Sequence, residues 1–407
     1  MAAPRPSSAA IPRLPVLSLA AFRRARAGAP PALPSLLDAG AVRLVTSGRV
    51  AIALALRELG VGPGDSVLVP AYHSPSMVPP VLWRGARPVF YRVDAAAAVD
   101  LADLDARLDG TVKAVMVTHY FGFPQDMGTI RAWCDRHGVA LLEDCAHSFF
   151  GRHGGLPVGS HGDYAIGSGM KFYPIFEGGC LVSARRPLDG VALRSAGRGF
   201  EAKAALAVLE HSFAHGRLGA LRALLRLPLW CKDKLWAALK ARRGAALPDG
   251  AVAAELALAP ASSDSSYDFD PRWLDKRSAW FSRWVLRRAD AGRVTALRRR
   301  HYLALEAAVR DLPGCRPLHA ALPEGACPWL FPLWVARPDA VFAALRAAEV
   351  PLVRFGHTLW PGVDAAICPQ AVALGHHVLA LPCHQDLNAA ELARLCAALR
   401  AALAAAQ

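Results

Sequence analysis

The 407-residue sequence is short of the features that most readily declare a function. Its nine cysteines, at positions 134, 145, 180, 231, 315, 327, 368, 383 and 396, include no CxxC pair, and their number is odd. This argues against a disulfide framework or a zinc site and suits a reducing cytosol. No stretch of about 18 uninterrupted apolar residues occurs, so no membrane-spanning helix is expected. No acidic residue precedes Asp38. The segment before it, with its Arg, Ala, Ser and Pro, is faintly like an organellar transit peptide, but it has no continuous apolar region and so does not read as a secretory signal. There is no internal repeat.

Acids are also outnumbered overall, 33 Asp and Glu against 47 Lys and Arg, a formal charge of +14. Such a balance favours anionic partners, phosphorylated metabolites and nucleotides among them, although an arginine excess spread over the surface gives the same total. Hydrophobic residues make up 54% and charged residues 20% of the chain. A large core is therefore available, and the length suits two domains.

Four regions are expected. Residues 1–40 form a tail with proline punctuation. Residues 41–200 alternate short apolar runs with helical stretches. The strand candidates there are Ser66–Val69, Pro88–Val93, Lys113–Thr118 and Val139–Leu142; the helix candidates are Val50–Leu59 and Met127–His137, the latter stopped by Gly138. Strands separated by helices indicate an α/β fold with a large, mainly parallel sheet and helices on both faces, in which ligands sit beyond the carboxyl ends of the strands. Residues 201–270 form a basic helical insertion and a Ser/Asp linker. Residues 271–407 hold an interdomain helical stretch over Trp280–Leu305 and a smaller C-terminal α/β domain, with a strand at Trp329–Ala336, a helix at Asp339–Ala348 and a last helix from Ala389.

Three segments carry chemistry. In Glu143-Asp144-Cys145-Ala146-His147, an Asp at the end of a buried strand needs a partner; a protonated ring nitrogen, a helix cap or a metal would each serve. In Ser168-Gly-Met-Lys171, followed by Glu177-Gly178-Gly179, a lysine lies among apolar residues; it reads as a Schiff-base amine or as a stem reaching to the surface. In Ser47-Gly48-Arg49, a small-residue turn opens a helix, which offers backbone N–H groups and a guanidinium to a phosphate, or simply starts a helix.

The order of these segments resembles that of the fold-type I pyridoxal-phosphate (PLP) enzymes, and within them the DegT/DnrJ/EryC1/StrS family of sugar aminotransferases. Gly60-Val-Gly-Pro-Gly-Asp65-Ser-Val-Leu-Val-Pro70-Ala71, Gly85-Ala-Arg-Pro-Val-Phe90, Thr118-His119-Tyr120-Phe-Gly122, Glu143-Asp144-Cys-Ala146-His147, Gly159-Ser-His-Gly162-Asp163, the lysine-to-diglycine distance and Leu381-Pro382-Cys-His384 all look like that family's stretches. The resemblance implies pyridoxal 5′-phosphate as cofactor. Lys171 would form the Schiff base and shuttle a proton, Asp144 would hold the pyridinium nitrogen, and His147 would lie near the ring or its phenolic oxygen. Ser168, Gly48 and Arg49, with Ser47 as a weaker candidate, would hold the phosphate. No metal is implied.

The chain also departs from the family. Ser74 stands where members often carry a ring-stacking aromatic, leaving Tyr72, His73 or His119 for that task. Ser168 lies three residues before the lysine instead of five. The Asn-Tyr-Arg-Met segment is not recognisable, and residues 200–270 stand in its place. The chain thus reads as a divergent branch. The expected reaction moves an amino group from an amino acid, glutamate first, to a keto sugar, nucleotide-linked, in polysaccharide or secondary-metabolite biosynthesis. Another PLP reaction, elimination or condensation, is the alternative; relatives that dehydrate replace the lysine by His. A non-catalytic regulator or membrane-associated protein of this fold is a third reading, against which Lys171 and Asp144 both argue. A cytoplasmic homodimer is expected. Residues 217–243 interleave Leu and Trp with Arg and Lys as one or two amphipathic helices broken near Pro228, which suits peripheral contact with the inner membrane surface or packing on the protein itself. No nucleic-acid partner is expected, since no binding motif accompanies the basic stretch.

Overall fold

The computed structural model describes residues 10–23, 32–227, 230, 234 and 269–406. Residues 1–9 and 24–31 of the tail and most of the insertion, including Pro228 and residues 235–268, thus lie outside the described residues. From the N-terminal side, β1 (Ala41–Val45) leads into α1 (Gly48–Glu58), then β2 (Ser66–Pro70), α2 (Pro79–Trp83), β3 (Arg87–Tyr91), α3 (Leu101–Arg107), β4 (Val112–Thr118), α4 (Met127–His137) and β5 (Ala140–Asp144). A small hairpin of β6 (Arg152–His153) and β7 (Leu156–Pro157) precedes β8 (Tyr164–Ser168), and a tight turn at Gly169–Lys171 precedes β9 (Gly179–Ser183). Next come α5 (Arg198–Ala214) and α6 (Gly219–Leu224). After the undescribed stretch follow α7 (Trp280–Arg288), α8 (Ala291–Val309), β10 (Cys315–Pro317), β11 (Leu330–Val335), α9 (Pro338–Ala347), α10 (Pro369–His377), β12 (Val378–Pro382) and α11 (Ala389–Ala405).

Local chemistry sets many of these boundaries. Asp126 caps α4 by accepting the Thr129 N–H, and Gly138 ends it at φ +65°, where a side chain is disfavoured. Asn388 and Glu391 close a reciprocal capping box on α11. The helical pattern from Trp280 is two helices, not one. Its break falls at Ala289-Asp290, because the Asp290 carboxylate accepts the Arg293 N–H and starts α8 afresh.

The large sheet has the order β1-β9-β8-β5-β4-β2-β3. Neighbours from β8 to β3 are parallel, and β9 runs antiparallel to both β8 and β1. Six strands therefore end at one edge, where β9 begins. Alternate residues feed opposite cores: Val67, Val69, Ala114, Met116 and Leu142 face α1, and Leu68, Val115, Val117 and Leu141 face the other side. Burial on both faces explains why these strands read as continuous apolar runs. A second, antiparallel sheet, β10-β11-β12, belongs to the C-terminal part, and α8 leads to it.

Two buried acids hold the large sheet's neighbourhood together. Glu143 accepts His119 Nε2 at 3.0 Å and the backbone N–H groups of Gly159 (3.1 Å), His161 (2.7 Å) and Gly162. Burial pushes its carboxyl up, but the His119 bond and charge and the Gly162 N–H outweigh that and hold it below the usual range. Glu177 ties the loop after Lys171 to the start of α7, accepting Ser278 Oγ and Ala279 N–H, each at 2.9 Å, at one oxygen. Its other oxygen is buried without a hydrogen-bond partner. Burial first, with Glu201 nearby, pushes the Glu177 carboxyl up to about 7 in spite of those donors.

Glu143→Gln is expected to destabilise the fold by about 3 kcal/mol or more, since an amide cannot accept four donors; an unchanged urea midpoint would refute this. Glu177 gives a pH signature. Its folded value lies above the unfolded value of 4.5, so its contribution is present below that pH and is lost as pH rises through about 7. The loss is on the order of 3 kcal/mol. Glu177→Gln should flatten the fall in melting temperature between those pH values, and a profile identical to wild type would reject the assignment.

Candidate active site

At the edge where the strands end, Ser47 follows β1 and caps α1, its Oγ accepting the Val50 N–H at 3.3 Å. The start of β9 presses against this turn. Gly178 donates its N–H to the Thr46 carbonyl at 3.1 Å, and a Cβ on Gly179 would stand 2.3 Å from the Ser47 carbonyl carbon. Only glycine allows that approach. Ser168 closes β8 opposite Gly179, and the Gly169 N–H meets the Gly178 carbonyl at 2.8 Å. Ser47, Gly48, Arg49 and Ser168 are thus gathered at one end of β1 and β8.

One strand further along, Asp144 ends β5 opposite Ile166. One of its oxygens accepts the Ala146 N–H at 2.9 Å, and the other lies 3.5 Å from the Thr118 hydroxyl. Lys171 follows β8 by one turn and is 7% exposed. Its Nζ stands 4.7 Å from the ring centre of Trp329, just ahead of β11. The Trp329 ring stacks on His147 with centres 3.9 Å apart, and Phe355 meets His147 edge-on at 4.7 Å. His147 Nδ1 and the hydroxyl of Tyr72 are buried without hydrogen-bond partners. Tyr72 packs edge-on against Phe355 at 5.0 Å. Burial, and then the Lys171 charge, hold His147 well below its ordinary range, so its ring is neutral near pH 7.

The edge therefore combines a buried amine, a strand-end carboxylate, a neutral imidazole and a helix start. Two residues from the sequence reading are committed elsewhere. His73 stacks on Phe90, and its two ring nitrogens meet the Ala71 carbonyl at 2.8 Å and the Trp360 N–H at 3.1 Å. His119 bonds Glu143 through Nε2 and accepts the Gln125 N–H through Nδ1. Neither is free to stack on a ligand, while Tyr72 remains in the aromatic cluster. His119, Glu143 and Cys145 bring ligand-type atoms within 4.8 Å of one another, but the Glu143 oxygens already take N–H donors, so this is a hydrogen-bonded junction. Trp329 and Phe355 escaped the sequence reading because nothing local to them points at Lys171, 158 and 184 residues upstream. The one local cue is the Pro328-Trp329 pair opening a strand.

Several known proteins are similar to this chain. Over 150 residues the chain is 37% identical to UDP-N-acetyl-3-dehydro-alpha-D-glucosamine 3-aminotransferase of Acidithiobacillus ferrooxidans, covering 35% of this chain and 40% of that one. Over 142 residues it is 36% identical to GDP-perosamine synthase of Vibrio cholerae, covering 34% and 39%. The chain thus spans about two fifths of the length of these curated relatives. Among solved structures, the aminotransferase PseC of Helicobacter pylori superposes with a TM-score of 0.62 at 14% identity, over 91% of this chain and 89% of that one. The aminotransferase TlmJ of Streptoalloteichus hindustanus superposes with a TM-score of 0.60 at 23% identity, over 89% and 86%. The fold is that of the fold-type I pyridoxal-phosphate enzymes. A family model matches residues 32–215, which contain every strand of the large sheet together with Lys171 and Asp144. The model is that of the DegT/DnrJ/EryC1/StrS aminotransferase family, to which this segment of the chain is similar.

Proposed function

We propose that this protein is a PLP-dependent aminotransferase that moves an amino group from an amino acid, glutamate first, to a nucleotide-linked keto sugar in polysaccharide or secondary-metabolite biosynthesis. The observation that carries the reading is the buried Lys171 amine, set at the same sheet edge as the Asp144 carboxylate and the Ser47–Arg49 turn. The residues fit the cofactor. An aldehyde needs a desolvated primary amine, a pyridine nitrogen needs a buried carboxylate, and a phosphate needs hydroxyls, N–H groups and a cation at a helix start. The unpartnered His147 Nδ1 is a further polar atom awaiting a partner.

When bound, the cofactor supplies the electron sink that stabilises charge at a substrate carbon. The rest of the reaction falls to the chain's own groups. Lys171 Nζ would hold the cofactor's aldehyde carbon and is the group that would carry a proton to and from the reacting carbon. Asp144 would hold the ring nitrogen in its protonated form. His147, neutral, holds a proton at one nitrogen only and would lie near the ring. Ser168 Oγ, the Gly48 N–H, Arg49 and Ser47 would hold the phosphate. Trp329 covers the amine and excludes water from it. The same lysine would serve both the half that takes nitrogen from the donor and the half that gives it to the acceptor. Lys171, and not a His, favours transfer over elimination. We further propose a cytoplasmic homodimer.

A second, peripheral role is supported by surface chemistry. Among the described residues no helix is long and apolar enough to cross a membrane. Leu224, Leu227 and Trp230 are nonetheless 75%, 69% and 56% exposed beside Arg222, Arg226 and Lys234. Arg217 does not join them: it pairs with Glu391 of α11 at 2.7 Å. The exposed set suits contact with an anionic lipid surface.

The purified protein should show a near-ultraviolet to visible band with PLP that is absent in Lys171→Ala, and borohydride should fix the cofactor on the Lys171 peptide. A wild type that stays colourless with added PLP would sink the reading. A screen of amino donors and keto-sugar acceptors then names the substrates. For the surface, anionic liposomes should sediment the intact chain several-fold better than one carrying Leu224→Ser, Leu227→Ser and Trp230→Ser; equal sedimentation would dismiss the lipid contact.

A further inference from the structure

Arg298 on α8 is fully buried. Its four hydrogen bonds all go to neutral oxygens. Nε donates to Gln385 Oε1 at 2.9 Å, Nη1 to the Pro328 carbonyl at 3.2 Å and the Trp329 carbonyl at 3.0 Å, and Nη2 to the Lys171 carbonyl at 2.8 Å. The guanidinium also lies 4.4 Å above the Phe172 ring. Gln385 extends the arrangement: its amide donates to the Phe172 carbonyl at 2.8 Å and to Asp386 at 3.1 Å, and Asp386 in turn accepts Arg293 at 3.0 Å.

A buried cation without a directly bonded carboxylate is a poor device for stability, because desolvation opposes it and an apolar side chain would pack as well. What it does here is specific. It grips the main chain of Lys171 and the main chain of Trp329, the two residues whose side chains meet at 4.7 Å. One belongs to the turn after β8 of the large sheet, and the other opens β11 of the second sheet. No other hydrogen-bonding side chain among the described residues bonds both backbones. A planar fork can span such divergent carbonyls, whereas an ammonium is a single point donor.

We infer that Arg298, braced by Gln385, is a positioning residue that sets the Lys171 amine against the Trp329 ring across the two sheets. This rests on the reading of Lys171 as the cofactor lysine. Two groups thereby keep their mutual placement although they come from separate parts of the chain. Misplacing an amine by about 1 Å is enough to slow its reaction up to about a hundredfold.

The test uses the full chain freed of cofactor, with Arg298→Lys and the milder Gln385→Leu, each checked for folding by circular dichroism and thermal melting. PLP is added, and the rate of borohydride-stable incorporation at Lys171 is read by peptide mapping, together with the pH midpoint of the visible band. Arg298→Lys should slow incorporation about tenfold or more and displace the midpoint, and Gln385→Leu should do both to a smaller extent. A purely structural role would lower the melting temperature and leave the incorporation rate and pH midpoint of the folded protein at their wild-type values; that result in both variants, or full rescue by Arg298→Lys, would overturn the inference. Should Arg298→Lys fail to fold, Gln385→Leu decides. A wild type that takes up no PLP at Lys171 is a different failure, that of the functional reading itself.

Discussion

Four donors meet on the carboxylate of Glu143, and the placement of the site follows from that meeting. The donors come from three places: His119 after β4, and Gly159 and the His161–Gly162 pair ahead of β8. Without them a carboxylate in the middle of a sheet would be intolerable. With them it becomes the point to which the strand before β5 and the strand after it are both tied. Glu143 and Asp144 are adjacent on one strand, so they face opposite sides. Glu143 is fully used inside the protein, and its neighbour is thereby turned to the other face at the edge where the strands end. The pleat alone thus divides the acidic pair, Glu143 being occupied by its own donors and Asp144 being turned to the edge.

The same edge shows why β9 runs backward. A seventh strand parallel to the others would end at the edge, whereas β9 begins there and presses Gly178 and Gly179 against Thr46 and Ser47. The turn at Lys171 is consequently bounded on both sides, by the end of β8 and the start of β9. Glu177 fixes its far end to α7. A lysine on so short and so bounded a loop has little freedom to leave.

How much of this was legible depended on whether a signal was local. The bounds of α4 could be read because Asp126 and Gly138 state them in the chain itself. The start of α1 lies two residues ahead of the Val50 expected from the apolar pattern, since Gly48 is a weak helix former and only the Ser47 cap marks the start. β5 reads from its apolar run as a strand ending on Glu143-Asp144, and it does; what is not legible is how Glu143 is tolerated there, because its donors lie 16 to 24 residues away and carry no local sign. His73 and His119 looked available for stacking for the same reason, their partners at Trp360 and Glu143 being remote in sequence. Trp329 and Arg298 were legible as a strand opening and a helical arginine. Their convergence on Lys171 is a property of the tertiary arrangement alone.

That convergence bears on why the site is built from two sheets at all. A parallel sheet edge presents backbone ends and small turns, which suit a phosphate and a ring nitrogen, but it has no wall on its open side. The wall here is supplied by Trp329 and Phe355 from the C-terminal part, packed on His147 from the large sheet. An aromatic wall excludes water, keeps His147 neutral and stands over the lysine amine, so all three effects depend on the two parts of the chain holding one spacing. A buried arginine bonded only to neutral oxygens is an expensive way to hold it, and its cost is intelligible where displacement of one backbone against the other would separate the amine from its cover.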